Sequence, residues 1–110
     1  MEFESHKQGN FLVLKVKGRM DAVTAPEFEA YCAKLMEAGD KAFIVELAGL
    51  EYISSAGLRS ILAVAKKLKA VQGDIRFCGL KGMVQEVFSI SGFSTMFPIA
   101  DTAEAAASKA

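Results

Sequence analysis

The stretch EYISSAGLRS at 51–60 sets two hydroxyls, Ser54 and Ser55, side by side, with Gly57 two residues on. A serine that attacks a carbonyl needs a base, and the base needs an orienting carboxylate. The only histidine is His6, in a polar segment beside the N-terminus, and I-S-S-A-G-L is not the G-x-S-x-G of a nucleophile elbow. No phosphate-cradling G-x-x-x-x-G-K-[ST] or G-x-G-x-x-G is present, and Gly79-Leu80-Lys81-Gly82 matches such a loop only superficially. Cys32 and Cys78 are far apart and lie among apolar residues, so they are expected to be reduced core residues. Asp21 and Glu46 are isolated acids, Glu46 in an otherwise apolar run. No catalytic residue, metal site or cofactor is expected, and the chain does not read as an enzyme.

Two uses remain for the serines. A hydroxyl at a helix start accepts a backbone N–H and stabilises the helix by about 1 kcal/mol. A hydroxyl in the same place can also accept a phosphoryl group, which adds roughly −1.5 to −2 charges that the helix N-terminus tolerates. One serine is enough for the cap, and Ser54 can supply it. The residues alone leave both readings of the pair open.

Both uses require a strand–helix junction, and the surrounding pattern predicts one. Phe3–Lys7 reads as a polar strand, and Gln8-Gly9-Asn10 as a turn into FLVLKVKG, with Leu12, Leu14 and Val16 on one face. Thr24-Ala25-Pro26-Glu27 matches a capping box, and Phe28, Tyr31, Cys32, Leu35 and Met36 form a helical stripe that Gly39 ends. AFIVEL at 42–47 reads as a strand covered on both faces. Leu58, Ile61, Leu62, Ala65 and Leu68 form the stripe of the next helix, and Lys66, Lys67 and Lys69 complement the dipole at its end. Gly73-Asp74 turns into IRFCGL at 75–80, and Met83, Val84, Val87 and Phe88 mark a third helix closing near Gly92. MFPIA suits an edge strand, and DTAEAAASKA at 101–110 a short final helix. The expected class is α/β in the order ββαβαβαβα, with a mostly parallel central sheet and packed helices.

The totals limit the partners. The 110 residues suit one domain spanning 1–110, and an apolar fraction of 52% supports a packed core. Thirteen basic and thirteen acidic residues cancel, so no broad field draws nucleic acid or an anionic membrane. The charged N-terminus is not a signal peptide, and Ile61–Ala65 is far short of the roughly 20 apolar residues that cross a bilayer. A cytoplasmic protein without membrane insertion is expected.

The segment LAGLEYISSAGLRSILAVAKKLKAVQGDIRFCGL resembles the signature region of STAS domains, in particular bacterial anti-sigma factor antagonists. LKVKGRMDAVTAPEFEA is similar to the family's strand–Gly–x–x–Asp–helix entry, and VQEVFSISGFSTMFPIADTAEAA to its closing pattern. The resemblance implies a stand-alone STAS domain that binds an anti-sigma factor serine kinase and so frees a sigma factor. The kinase phosphorylates a serine at the start of the second helix, and a PP2C-type phosphatase reverses this. Aligning the family's Asp-Ser-[Ser/Thr]-Gly-Leu on Gly57 and Leu58 makes Ser55 the acceptor, with Ser54 as second choice where the family has aspartate. Asp21, Ser54, Ser55, Ala56, Gly57 and Leu58 form the implied partner surface. For Asp21 two readings stand, a partner contact or the start of the turn before Thr24. The alternative within the family is a scaffold module, or an accessory subunit of a lipid-transport complex, in which Ser55 is only a cap.

Overall fold

The alternation of Leu12, Leu14 and Val16 with lysines gives a ten-residue strand, β2 (Phe11–Met20), hairpinned to β1 (Glu2–Gln8) through the predicted turn. In the computed structural model, which describes residues 1–109, these are followed by α1 (Ala25–Glu37), β3 (Ala42–Ile53), α2 (Ser55–Ala70), β4 (Asp74–Cys78), α3 (Gly82–Ile90), α4 (Phe93–Met96), β5 (Ile99–Ala100) and α5 (Ala103–Ala107). Ala110, the last residue of the expected C-terminal helical segment, lies outside the described residues. The sheet runs β1-β2-β3-β4-β5, with β1 antiparallel to β2 and every other pair parallel. The α/β class and the mostly parallel sheet are as expected.

The order differs from ββαβαβαβα by one helix. After Gly92 the chain makes a single turn, α4, because Phe93 inserts beside Phe88 and Phe97 at 5.3 and 5.5 Å between ring centroids. Edge-to-face pairs of this kind add about 0.5–1.5 kcal/mol each beyond their area. Pro98 then confines β5 to two residues at the sheet edge.

Strand β3 is twice as long as AFIVEL. Between the Lys15–Glu46 and Met20–Ile53 pairs, β2 advances five residues while β3 advances seven, so β3 carries two bulges. Its inward residues are therefore Phe43, Val45 and Leu47 at spacing two, then Leu50 and Ile53 at spacing three. A period-two reading loses the strand where the first bulge begins.

The sheet is covered unequally. Helices α1 to α4 pack on one face around Leu14, Val16, Phe43, Val45, Phe77 and Phe88. On the other face, among the described residues, only α5 covers Val13, Ile44 and Cys78, through Ala106. Glu46 belongs to that second face, half-buried and paired in register with Lys15, which explains an acid in an apolar run. The expectation that AFIVEL is covered on both faces thus holds for Ile44 but not for Glu46.

The predicted stripe of α1 packs into the core as expected. On α2 the most buried side is Gly57, Ser60, Ile61, Val64 and Leu68. Ser60 Oγ donates to Glu29 Oε2 at 2.6 Å and ties α2 to α1. Leu58, Leu62 and Ala65 of the expected stripe remain only partly buried.

Both long helices end in the same hydrogen-bonded hook, in which the last two N–H groups reach back three and five residues. After α1 the left-handed position is Gly39, as expected, with φ of 103°. After α2 it is Gln72, with φ of 57°, rather than Gly73. A side chain in this conformation costs about 1 kcal/mol, which glycine avoids at some entropic penalty. Gln72→Gly is therefore expected to raise stability by about 0.5 kcal/mol, read as a higher urea midpoint at unchanged slope.

Candidate functional site

The junction begins where β2 and β3 end together. Met20 is paired with Ile53, and Ser54 N–H donates to Met20 O at 2.9 Å. Ser54 is extended, with φ −99° and ψ 175°, and its Oγ accepts the Gly57 N–H at 3.3 Å. It is the N-cap of α2. Aspartate and serine are near-equivalent caps, so the serine here keeps the local geometry that the family's aspartate would give.

Gly57 is buried, and a Cβ on it would sit 2.7 Å from Ile53 Cγ1 and 2.9 Å from Met20 O. The missing side chain is what lets the first turn of α2 lie flush against the ends of β2 and β3. Leu58 points partly into the core and Ala56 is half-buried. Ser55, the first residue of the helix, is exposed and takes no part in the cap. Arg59 is exposed one turn further on.

Asp21 follows Met20 directly and so stands beside Ser54. Its Oδ1 accepts the N–H groups of Val23 and Thr24 at 3.0 and 3.1 Å. The capping box predicted at Thr24 does not form: Thr24 is already in helical conformation and its side chain makes no cap bond. Its Oγ1 instead accepts the Asp21 N–H at 2.9 Å and donates to Arg19 O at 2.7 Å. Asp21 therefore begins the turn and also stands at the edge of the junction, so its two sequence readings are compatible.

The Thr24 N–H is the main cause that holds the Asp21 carboxyl below its ordinary 3.8; partial desolvation opposes it, and Val23, the Thr24 hydroxyl and Arg19 add to it. A carboxylate whose folded pKa is lowered contributes stability above the ordinary value, and that contribution is lost as pH falls through the folded pKa. Asp21→Ala is expected to be less stable than the parent near neutral pH. Its urea midpoint should also decline less steeply on acidification below about pH 4, closing the gap between the two proteins.

One surface residue here escaped the sequence reading. Val23 is 81% exposed in the turn that Asp21 organises, an apolar side chain with no periodic partner to flag it. Arg19 flanks the same edge, stacked over Tyr52 at 4.3 Å.

The other chemistry-bearing residues lie elsewhere. His6 sits on β1 and, with Lys15, Glu46, Cys78, Asp101 and Glu104, lines a polar cavity of about 380 Å³ under α5. Cys32 and Cys78 are buried and unpaired; burial first, then Glu29 or Glu46, pushes their thiols up to about 12 and about 11. Both are core residues, as expected. Among the described residues no helix is long and apolar enough to cross a membrane.

Residues 2–106 match the model of the STAS domain. BtrV of Bordetella bronchiseptica, to which the role of an anti-sigma factor antagonist is ascribed, is 42% identical over 107 residues, covering 97% of this chain and 92% of its own. The solved anti-sigma factor antagonist from Mycobacterium paratuberculosis superimposes with a TM-score of 0.84 at 23% identity, over 96% of this chain and 90% of that one. The Bacillus cell fate determinant SpoIIAA in its phosphorylated form gives a TM-score of 0.71 at 20% identity, over 94% and 96%. At those identities the two structures establish a shared fold.

Proposed function

Since the chain belongs to the STAS domain family, we propose that it is an anti-sigma factor antagonist whose hold on its partner is switched by phosphorylation at Ser55. It acts as one cytoplasmic unit without catalysis of its own. The unmodified form binds an anti-sigma factor serine kinase through Asp21, Val23 and residues 54–58, and so frees a sigma factor. The kinase joins the γ-phosphorus of ATP to Ser55 Oγ, with loss of the hydroxyl proton and release of ADP. A PP2C-type phosphatase hydrolyses the ester.

The observation that carries this reading is the division of labour between the serines. Ser54 holds the helix and Ser55 stands exposed beside it. A phosphoryl group on Ser55 lies at the positive end of α2, where about 0.3–1 kcal/mol favours it, with Arg59 one turn away. The fold survives the modification while the surface changes its charge. The antagonist role ascribed to BtrV, and the phosphorylated state in which SpoIIAA was solved, support the same reading.

The test is to incubate the protein with ATP and a serine kinase of the anti-sigma factor class from the same organism, then to map the phosphate by mass spectrometry. A single phosphate on Ser55, absent from Ser55→Ala, is expected. Modification confined to Ser54 or to a distant residue refutes the assignment.

A further inference from the structure

The far end of α2 borders a groove that the phosphorylation surface does not use. Leu62 and Ala65 belong to the apolar stripe that the sequence marks for burial, yet both stay only partly buried and line this groove. Facing them across the groove are Ile75 of β4 and the Met96-Phe97-Pro98 segment; Met96 is 57% exposed and Phe97 half-buried. The groove encloses about 470 Å³, within the roughly 300–1,000 Å³ of small-molecule sites.

Its rim is mainly cationic. Lys66 and Lys69 line it, and three exposed lysines, counting Lys67, outweigh the roughly half negative charge of the helix C-terminus. The one acid at its border, Asp74, accepts a hydrogen bond from Arg76 Nε at 2.9 Å. Arg76 in turn donates to Ala106 O, which places that pair on the α5 side of the sheet. An apolar slot under a cationic rim fits a ligand with one hydrocarbon chain and an anionic head.

We propose that this groove binds a free single-chain fatty acid, with the chain along Leu62, Ala65 and Phe97 and the carboxylate at Lys66 and Lys69. The volume admits one chain, so the ligand is a free acid and not a two-chain membrane lipid. At about 1.5 Å per residue, Lys69 lies about 20 Å along the helix from Ser55, so the two surfaces are separate.

The probe is sodium decanoate below its micellar concentration, followed by amide chemical shifts of the full chain. Saturable shifts confined to residues 62–69, 73–75 and 93–99 are expected, with decanoate binding about fifteenfold tighter than octanoate, since each buried methylene adds about fourfold. Lys66→Glu with Lys69→Glu should weaken binding by about tenfold. Ala65→Phe, at a half-exposed position that fills the slot, should abolish it, and circular dichroism checks that both variants fold. Equal binding of decyltrimethylammonium, shifts scattered over the surface, or undiminished binding by Ala65→Phe each overturn the proposal. So does co-sedimentation with phosphatidylglycerol vesicles as strong as the binding of decanoate.

Discussion

Ser55→Asp is expected to weaken binding to the kinase-type anti-sigma factor by about 100-fold or more, while Ser55→Ala binds as the parent does. The asymmetry follows from position. An aspartate at an exposed helix start sets a permanent charge in a patch that must lose its water against the partner, and an unmatched charge there costs several kcal/mol. Alanine removes only a hydroxyl that the cap does not use. Stability should move the other way: the added carboxylate favours the start of α2 by about 0.3–1 kcal/mol, so the melting temperature holds or rises by a few degrees. Ser54→Ala is the complementary control. It removes the acceptor of the Gly57 N–H and should cost about 0.5–1 kcal/mol, since the bond is long at 3.3 Å. Titration calorimetry and thermal melts on the three variants read both quantities. Equal partner affinity for Ser55→Asp and the parent would sink the switch.

Gly57→Ala is expected to lower stability by about 1–2 kcal/mol and to weaken partner binding with it. Alanine gains helix propensity worth up to about 1 kcal/mol, less in a first turn. Against this stands overpacking of about 1–3 kcal/mol. Ile53 Cγ1, 2.7 Å from the new methyl, can rotate aside. Met20 O, at 2.9 Å, is backbone, and the Ser54 N–H already holds it. The helix must therefore lift, carrying Ser55 away from the Asp21 turn. Gly57→Val, larger and without the gain in propensity, should lose more. Urea denaturation measures the first effect and partner titration the second. A Gly57→Ala protein with the parent's midpoint would mean that α2 does not rest on the strands as described.

The fold was legible wherever its periodicity was unbroken. The stripe of α1, the place of α3, the β1–β2 turn and the parallel order follow from spacing alone, although Met83 of the residues that mark α3 is exposed. What escaped did so for local reasons. The outer half of β3 is bulged and breaks the two-residue alternation. Helix α4 is held by aromatic contacts between Phe88, Phe93 and Phe97, which no single-turn propensity announces. The Thr24 hydroxyl is taken by Asp21 and Arg19, so a sound capping pattern went unused. At the site, the cap role of Ser54 could be read from residue type and position, whereas Gly57 entered only through the family motif, since its close approach to Ile53 and Met20 exists only in the fold. Val23 could not, since nothing in a sequence marks an apolar residue that will be left uncovered.

The bulged half of β3 has a consequence for how the chain can vary. Its two surplus residues are what bring Ile53 level with Met20, so that Ser54 meets a fixed carbonyl. Removing one residue between Leu47 and Glu51 would draw the tip back by about 3.3 Å and turn alternate side chains to the opposite face. The segment thus behaves as a ruler of set length. Substitutions along it can accumulate, but a change in its length would turn the Ser55 hydroxyl away from the Asp21 edge.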